Sequence, residues 1–183
     1  MFISKNFIIR FKNCKKSNFQ NILHSKNLIY RLLILNFLLR LAAAAFTTLG
    51  NDEVYYTLYA KYPDYAYFDH PPMIGWLIWL TTAATQLSHE VFVRLGALLI
   101  GSANIYLLWL CGKNLRNMTT GNIAAALGSA SLYISLIAGV FVLPDTPQSL
   151  FWMISLYLFL KFIDTSNSKF ILLFGISVGL ALL

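Results

Sequence analysis

Residues 51–76 read NDEVYYTLYAKYPDYAYFDHPPMIGW, a stretch that gathers Asp52, Glu53, Asp64, Asp69, His70 and six tyrosines between two apolar runs. If Asn51 caps a helix, Asp52 and Glu53 fall in its first turn, where the helix dipole favours acids by roughly 0.3–1 kcal/mol. That explains the acids but not the tyrosines. On such a helix Asp52, Tyr56 and Tyr59 stand at i, i+4 and i+7, so one face carries a carboxylate and two phenols. Aromatic rings with hydroxyls suit a sugar, although tyrosine is also common wherever one end of a side chain is apolar and the other wet. Downstream, Pro71 and Pro72 force Asp69 and His70 out of a helix interior. An adjacent Asp and His can bind a divalent cation or hold a phosphate. A third acid, Asp145, lies in LPDTPQ, where Thr146 as cap and Pro147 as first helical residue make an ordinary helix start. Asp145 has no such capping duty.

The elements that must position these groups are set by a composition suited to lipid. The 183 residues are 58% hydrophobic and 11% charged, against about a quarter charged in soluble domains. Apolar runs approach the roughly 20 residues needed to span a bilayer. The reading is an all-α integral membrane bundle of about five transmembrane helices: residues 28–49, 91–111, 122–143, 148–163 and 170–183. Residues 73–87 are apolar but too short to cross, and their tryptophans suit a helix lying along the interface. Residues 50–90 then form a first outer loop and residues 144–147 a second.

The net charge of +7 is confined to the beginning of the chain. Residues 1–40 carry eight bases and no acid, while the remainder has six bases and seven acids. A basic leader (1–27) ahead of an apolar helix fixes the N-terminus in the cytosol, and no nucleic-acid module follows it. A cleavable signal peptide would have a shorter charged region, although LAAAAF imitates a cleavage site. With this topology Lys113, Arg116, Lys161 and Lys169 lie inside, whereas every acid except Asp164 lies outside. Acids contribute little to topology, so their gathering on one face asks for a chemical reason.

Several smaller features follow. Arg40, near the middle of the first span, costs about 3 kcal/mol to insert; it either turns inward toward a lipid phosphate or snorkels to the surface. Asn36 shares its helix face. Gly175 and Gly179 have the spacing of a helix contact. Cys14 and Cys111 both fall on the cytosolic side, where thiols stay reduced. A helix from residue 170 to 183 would reach only roughly 21 Å, which reads as the N-terminal part of a longer protein.

The motifs DEVYY, YFDHPPM, VRL and LPDTPQSLFW, in this order and spacing, resemble bacterial members of the dolichyl-phosphate-mannose protein mannosyltransferase superfamily, with the GT-C membrane glycosyltransferase fold. The resemblance covers residues 28–183. It implies a glycosyltransferase that moves a sugar from a polyprenyl-phosphate donor to a protein, lipid or glycan acceptor at the extracytoplasmic face of a bacterial inner or plasma membrane. It makes Asp52 the catalytic base with Glu53 beside it. It also places Asp69, His70 and Asp145 in the region of the donor phosphate and a divalent metal. Tyr56, Tyr59 and Arg40 complete the expected substrate-binding set. The later basic residues that neutralise the lipid phosphate in such enzymes are not in this sequence, which implies inactivity for this stretch alone.

The chemistry accounts for the residue types. A sugar phosphate already has a good leaving group, so the demanding step is removal of a proton from the acceptor hydroxyl, which a carboxylate can perform. A single displacement of this kind inverts the anomeric centre. The alternative reading is a noncatalytic membrane subunit, or a flippase-like protein that binds lipid-linked sugar, whose outer acids hold a cation.

Overall fold

The computed structural model describes residues 23–183. Most of the expected leader, and Cys14 with it, lies outside the described residues. Among the described residues the secondary structure is entirely helical: α1 (Leu28–Phe46), α2 (Asn51–Lys61), α3 (Met73–Thr81), α4 (Glu90–Leu115), α5 (Met118–Ala130), a π-helical turn (Tyr133–Ile137), α6 (Asp145–Thr165) and α7 (Ser168–Leu180). Two of these, α1 and α4, are long and apolar enough to cross a membrane. The outward face of α1 leaves Ile34, Leu35, Leu38 and Leu39 more than half exposed, a surface that calls for lipid rather than water.

Helix α4 is the axis of the bundle and packs against α1, α3, α5 and α6. Its buried positions Val93, Ala97, Gly101, Ile105, Trp109 and Gly112 recur every three or four residues, as a helix with one broad buried face requires. Glycines allow close approach at two levels. A Cβ on Gly112 would stand 2.9 Å from Gly121 Cα, so α4 and α5 nearly touch there. A Cβ on Gly101 would stand 2.5 Å from Arg40 Nη1 and 2.8 Å from Gly139 Cα.

That second contact explains a departure from the expected third span. Residues 122–143 are not one helix: α5 stops at Ala130, and the chain passes through Ser131 into the π-helical turn. A helix break packed inside a bundle needs partners for its freed backbone groups. Arg40 supplies one, with its Nε donating to Ser135 O at 3.1 Å, while Ser135 Oγ donates to Ser129 O at 2.5 Å. Arg40 is only 3% exposed, so it neither snorkels nor reaches the surface, and it clamps the break from inside. Gly101→Ala should force the guanidinium away from its place and destabilise the protein by about 1–3 kcal/mol, the usual cost of overpacking. A lowered melting temperature in detergent is the expected result, and an unchanged one would contradict the clamp.

Other boundaries also moved. The interfacial helix ends at Thr81 instead of Leu87, because Ala83, Ala84 and Thr85 turn left-handed with φ of 49°, 57° and 67°. Gly50 caps α2, so Asn51 is its first residue and not its cap. Helix α6 starts at Asp145, which puts Thr146 and Pro147 inside its first turn. The Thr146 hydroxyl nonetheless closes the preceding turn, accepting from Leu143 N at 3.3 Å and donating to Phe141 O at 3.1 Å. Gly175 and Gly179 meet no other helix among the described residues, since a Cβ on either would find nothing within 4 Å. Helix α7 is held to α6 instead by Ser177 Oγ donating to Phe151 O at 2.9 Å.

Candidate active site

Helices α2 and α3 form a small layer over one end of the bundle. Its floor is an apolar cluster of Tyr56, Tyr59, Ala60, Ile74, Ile78, Val93, Ala97 and Val142. Gly75 makes the layer thin, because a Cβ there would lie 2.6 Å from Tyr59 Cβ. Tyr59 is thereby fixed against α3, and its ring stacks on Tyr67 at 3.6 Å with an interplanar angle of 6°. The Tyr67 hydroxyl in turn accepts from Asp64 N at 2.8 Å and lies 2.9 Å from Tyr59 O and 2.8 Å from Tyr62 O, which closes the loop after α2.

This packing places Asp69. One carboxylate oxygen, Oδ1, accepts from the Tyr59 hydroxyl and from the Tyr55 hydroxyl, the latter at 3.1 Å. The Tyr59 bond, followed by that from Tyr55, holds the Asp69 carboxyl below the usual carboxylate range despite an opposing desolvation effect. Burial, then the bond to Asp69, pushes the Tyr59 phenol well above its ordinary value.

Glu53 has a different environment from the acid beside it in sequence. It is 2% exposed and meets Arg94, which is 0% exposed, in a two-pronged ion pair with Nε–Oε1 of 2.8 Å and Nη2–Oε2 of 2.6 Å. Val142 N donates to Oε1 at 3.1 Å and Gly50 N to Oε2 at 2.9 Å. The rest of the Arg94 fork bonds Ala44 O, Thr47 O, Thr47 Oγ1 and Thr48 O at 2.7–3.2 Å. Burial raises the Glu53 carboxyl, but Arg94 and the two backbone donors outweigh it and hold the group below the usual range. Both oxygens are occupied, so this pair is a buried tie joining α1, α2, α4 and the chain before α6. Asp52, one residue earlier, is exposed.

Beside this layer opens a cleft of about 410 Å³, whose wall includes Tyr56, His70, Met73, Pro144, Asp145 and Gln148. Tyr56 is 6% exposed, and its ring meets His70 edge-on at 5.5 Å. Burial first, and then the negative charges of Asp52, Asp69 and Asp145, raise the Tyr56 phenol above its ordinary value. The three aspartates from separate parts of the sequence thus act on one phenol. Tyr56, His70 and Asp145 share the wall, whereas Asp52, Asp69 and Tyr59 are not among its lining residues. Glu53 and Arg40 belong to the interior ties already described.

Among the described residues no group of three His, Cys, Asp or Glu side chains stands where it could hold a metal ion. Asp69 Oδ1 accepts from two phenols, and His70 and Asp145 line the cleft. Arg94 entered the sequence reading only within the VRL motif, with no role assigned to it. The signal available was the position of a base in the first turns of the long apolar helix α4, downstream of the surplus acids.

The helical bundle has two helices long and apolar enough to cross a membrane, and the family match supports a membrane glycosyltransferase of the GT-C type. The chain belongs to the dolichyl-phosphate-mannose-protein mannosyltransferase family, which matches residues 69–183. The matched segment begins at Asp69 and includes both DHPP and PDTP, while α2 with Asp52 precedes it. Comparison with curated proteins and with solved structures gives no match.

Proposed function

We infer that the protein transfers a sugar from a polyprenyl-phosphate donor to a hydroxyl of a protein, lipid or glycan, at the non-cytosolic face of a bacterial plasma membrane. The observation that carries this reading is a cleft lined by Tyr56, His70 and Asp145, in a chain whose family description is a sugar transferase. The charge distribution supports the orientation, since the remaining cytosolic loops carry Lys113, Arg116, Lys161 and Lys169.

Asp52 is the base in this reading because it is exposed, unlike Glu53, and one helical turn before Tyr56. The acceptor oxygen attacks the anomeric carbon opposite the phosphate, and its proton passes to the Asp52 carboxylate. The carbon–oxygen bond to phosphate breaks, with its electron pair leaving on polyprenyl phosphate. Configuration at the anomeric carbon inverts. Glu53 is a positioning residue that holds the first turn of α2 through Arg94, and Asp69 fixes Tyr55 and Tyr59 beside the cleft. Keeping the prenyl tail in lipid while the phosphate reaches the outer layer allows an insoluble donor to react with a polar acceptor.

Incubation of the full-length protein with a radiolabelled polyprenyl-phosphate sugar tests the proposal. Release of free polyprenyl phosphate, dependent on an acceptor, is expected. Binding of the labelled lipid without release in the presence of protein, lipid and glycan acceptors would support the noncatalytic alternative and overturn the transferase reading.

A further inference from the structure

The long apolar helix α4 carries an amide, Asn104, at a position 1% exposed in its middle. A buried polar side chain in such a helix is costly unless partnered, and its usual partner is a neighbouring helix. Asn104 Nδ2 donates to Ser149 Oγ on α6 at 2.9 Å. Ser149 Oγ donates in turn to Thr146 O at 2.8 Å, so its single proton is committed and it can only accept from the amide. That fixes which end of the amide faces α6. The other end, Oδ1, is buried and has no hydrogen-bond partner among the described residues.

The bonds beyond Ser149 lead to the turn that carries Asp145. Thr146 is fully buried, and its hydroxyl accepts from Leu143 N and donates to Phe141 O. Its own amide donates to Leu143 O at 2.9 Å. Asp145 lies between these two residues in the chain and lines the cleft, whereas Asn104, Thr146 and Ser149 do not. Three side chains in succession, Asn104, Ser149 and Thr146, thus run from the middle of α4 to the turn that sets where Asp145 stands. Leaving a buried acceptor unpaired destabilises by more than one ordinary hydrogen bond stabilises. Asn104 therefore lowers the stability of the fold relative to an apolar residue of its size. What it supplies instead is the aim of Ser149.

We propose that Asn104 is a positioning residue for the Asp145 side of the cleft, holding the first turn of α6 through Ser149 and Thr146. Its bearing on turnover rests on the sugar-transfer reading, and its hold on the turn does not.

Asn104→Leu, which removes the amide and keeps a side chain of similar size, tests the assignment in full-length protein in nanodiscs. Ser149→Ala breaks the same link from the other side. The melting temperature of Asn104→Leu should equal or exceed that of the wild type. Hydrogen exchange at the backbone amides of Leu143 and Thr146 should nonetheless quicken about tenfold, the factor that one ordinary hydrogen bond is worth. Turnover of a radiolabelled polyprenyl-phosphate mannose should fall about tenfold in kcat with little change in KM, as loss of positioning without loss of binding requires. Ser149→Ala should reproduce both effects, and the double variant should lose no more than either single one, because all act through one bond. Unchanged exchange in both variants, quickened exchange with wild-type turnover, or additive losses in the double variant would overturn the assignment. Turnover lost only together with the cooperative melt would make Asn104 a structural tie and overturn it too. Absence of transfer by the wild type would sink the transferase reading, and the exchange rates would then decide by themselves whether Asn104 holds the turn.

Discussion

Arg94→Ala is expected to cost about 3–5 kcal/mol, the penalty for leaving a buried carboxylate without its partner, and so to remove much of a typical stability of about 5–15 kcal/mol. The variant should lose its cooperative melt in detergent or fail to accumulate in the membrane. The effect is large because the guanidinium does more than pair with Glu53. Its six hydrogen bonds also hold the carbonyls of Ala44, Thr47 and Thr48, which end α1. Removing it frees the end of one membrane helix and the start of α2 together. Arg94→Lys should recover little, since an ammonium cannot reproduce the planar fork. Glu53→Gln should be milder than Arg94→Ala, because the amide keeps one acceptor oxygen for the backbone donors.

The same pair sets a pH dependence with a definite sign. Because the folded Glu53 carboxyl lies below its ordinary value of 4.5, its contribution to stability is present above that value. It is lost as pH falls from there through the depressed folded value. Melting temperature of the wild type should therefore hold from neutrality to about pH 5 and fall below it, and Glu53→Gln should flatten that fall. A wild-type melt in acid that matches the variant would remove the pair from the account.

Much of the scaffold was legible because lipid imposes simple rules. Spans 28–49 and 91–111 correspond to α1 and α4, whose length and apolarity leave few alternatives. The break after Ala130 was not legible, since Ala, Gly and Ser are compatible with a continuous membrane helix. What decides it is Arg40, 95 residues from the Ser135 carbonyl it binds. Sequence periodicity carries no information about such a distant partner. The Gly175 and Gly179 spacing is less informative for a related reason: small residues permit a contact without specifying one.

Around the candidate site, the clustering of acids was legible in the sequence, while the different surroundings of each acid required coordinates. Asp52 and Glu53 are neighbours with the same chemistry, yet a rotation of about 100° between successive helical residues turns Glu53 into the bundle and leaves Asp52 exposed. Asp69 and His70, in the non-helical chain between α2 and α3, also have different surroundings, one tied to phenols and the other lining the cleft. The face formed by Asp52, Tyr56 and Tyr59 could be anticipated from helical spacing alone. That Asp145 joins it depends on how α6 packs across the bundle.

Steady-state transfer by Asp52→Asn, in full-length protein inserted normally in the membrane, tests the central claim most directly. A general base contributes typically 10²–10⁴-fold to rate. The amide has nearly the carboxylate's shape and cannot take the acceptor's proton, so turnover should fall by about that factor while the melting temperature and donor binding stay near those of the wild type. Asp52 is exposed and makes no tie to the bundle comparable with that of Glu53, which is why loss of folding is not expected to confuse the result. Wild-type turnover by the Asn variant would contradict the account, because the acceptor's proton would then be leaving by a route in which this carboxylate has no part.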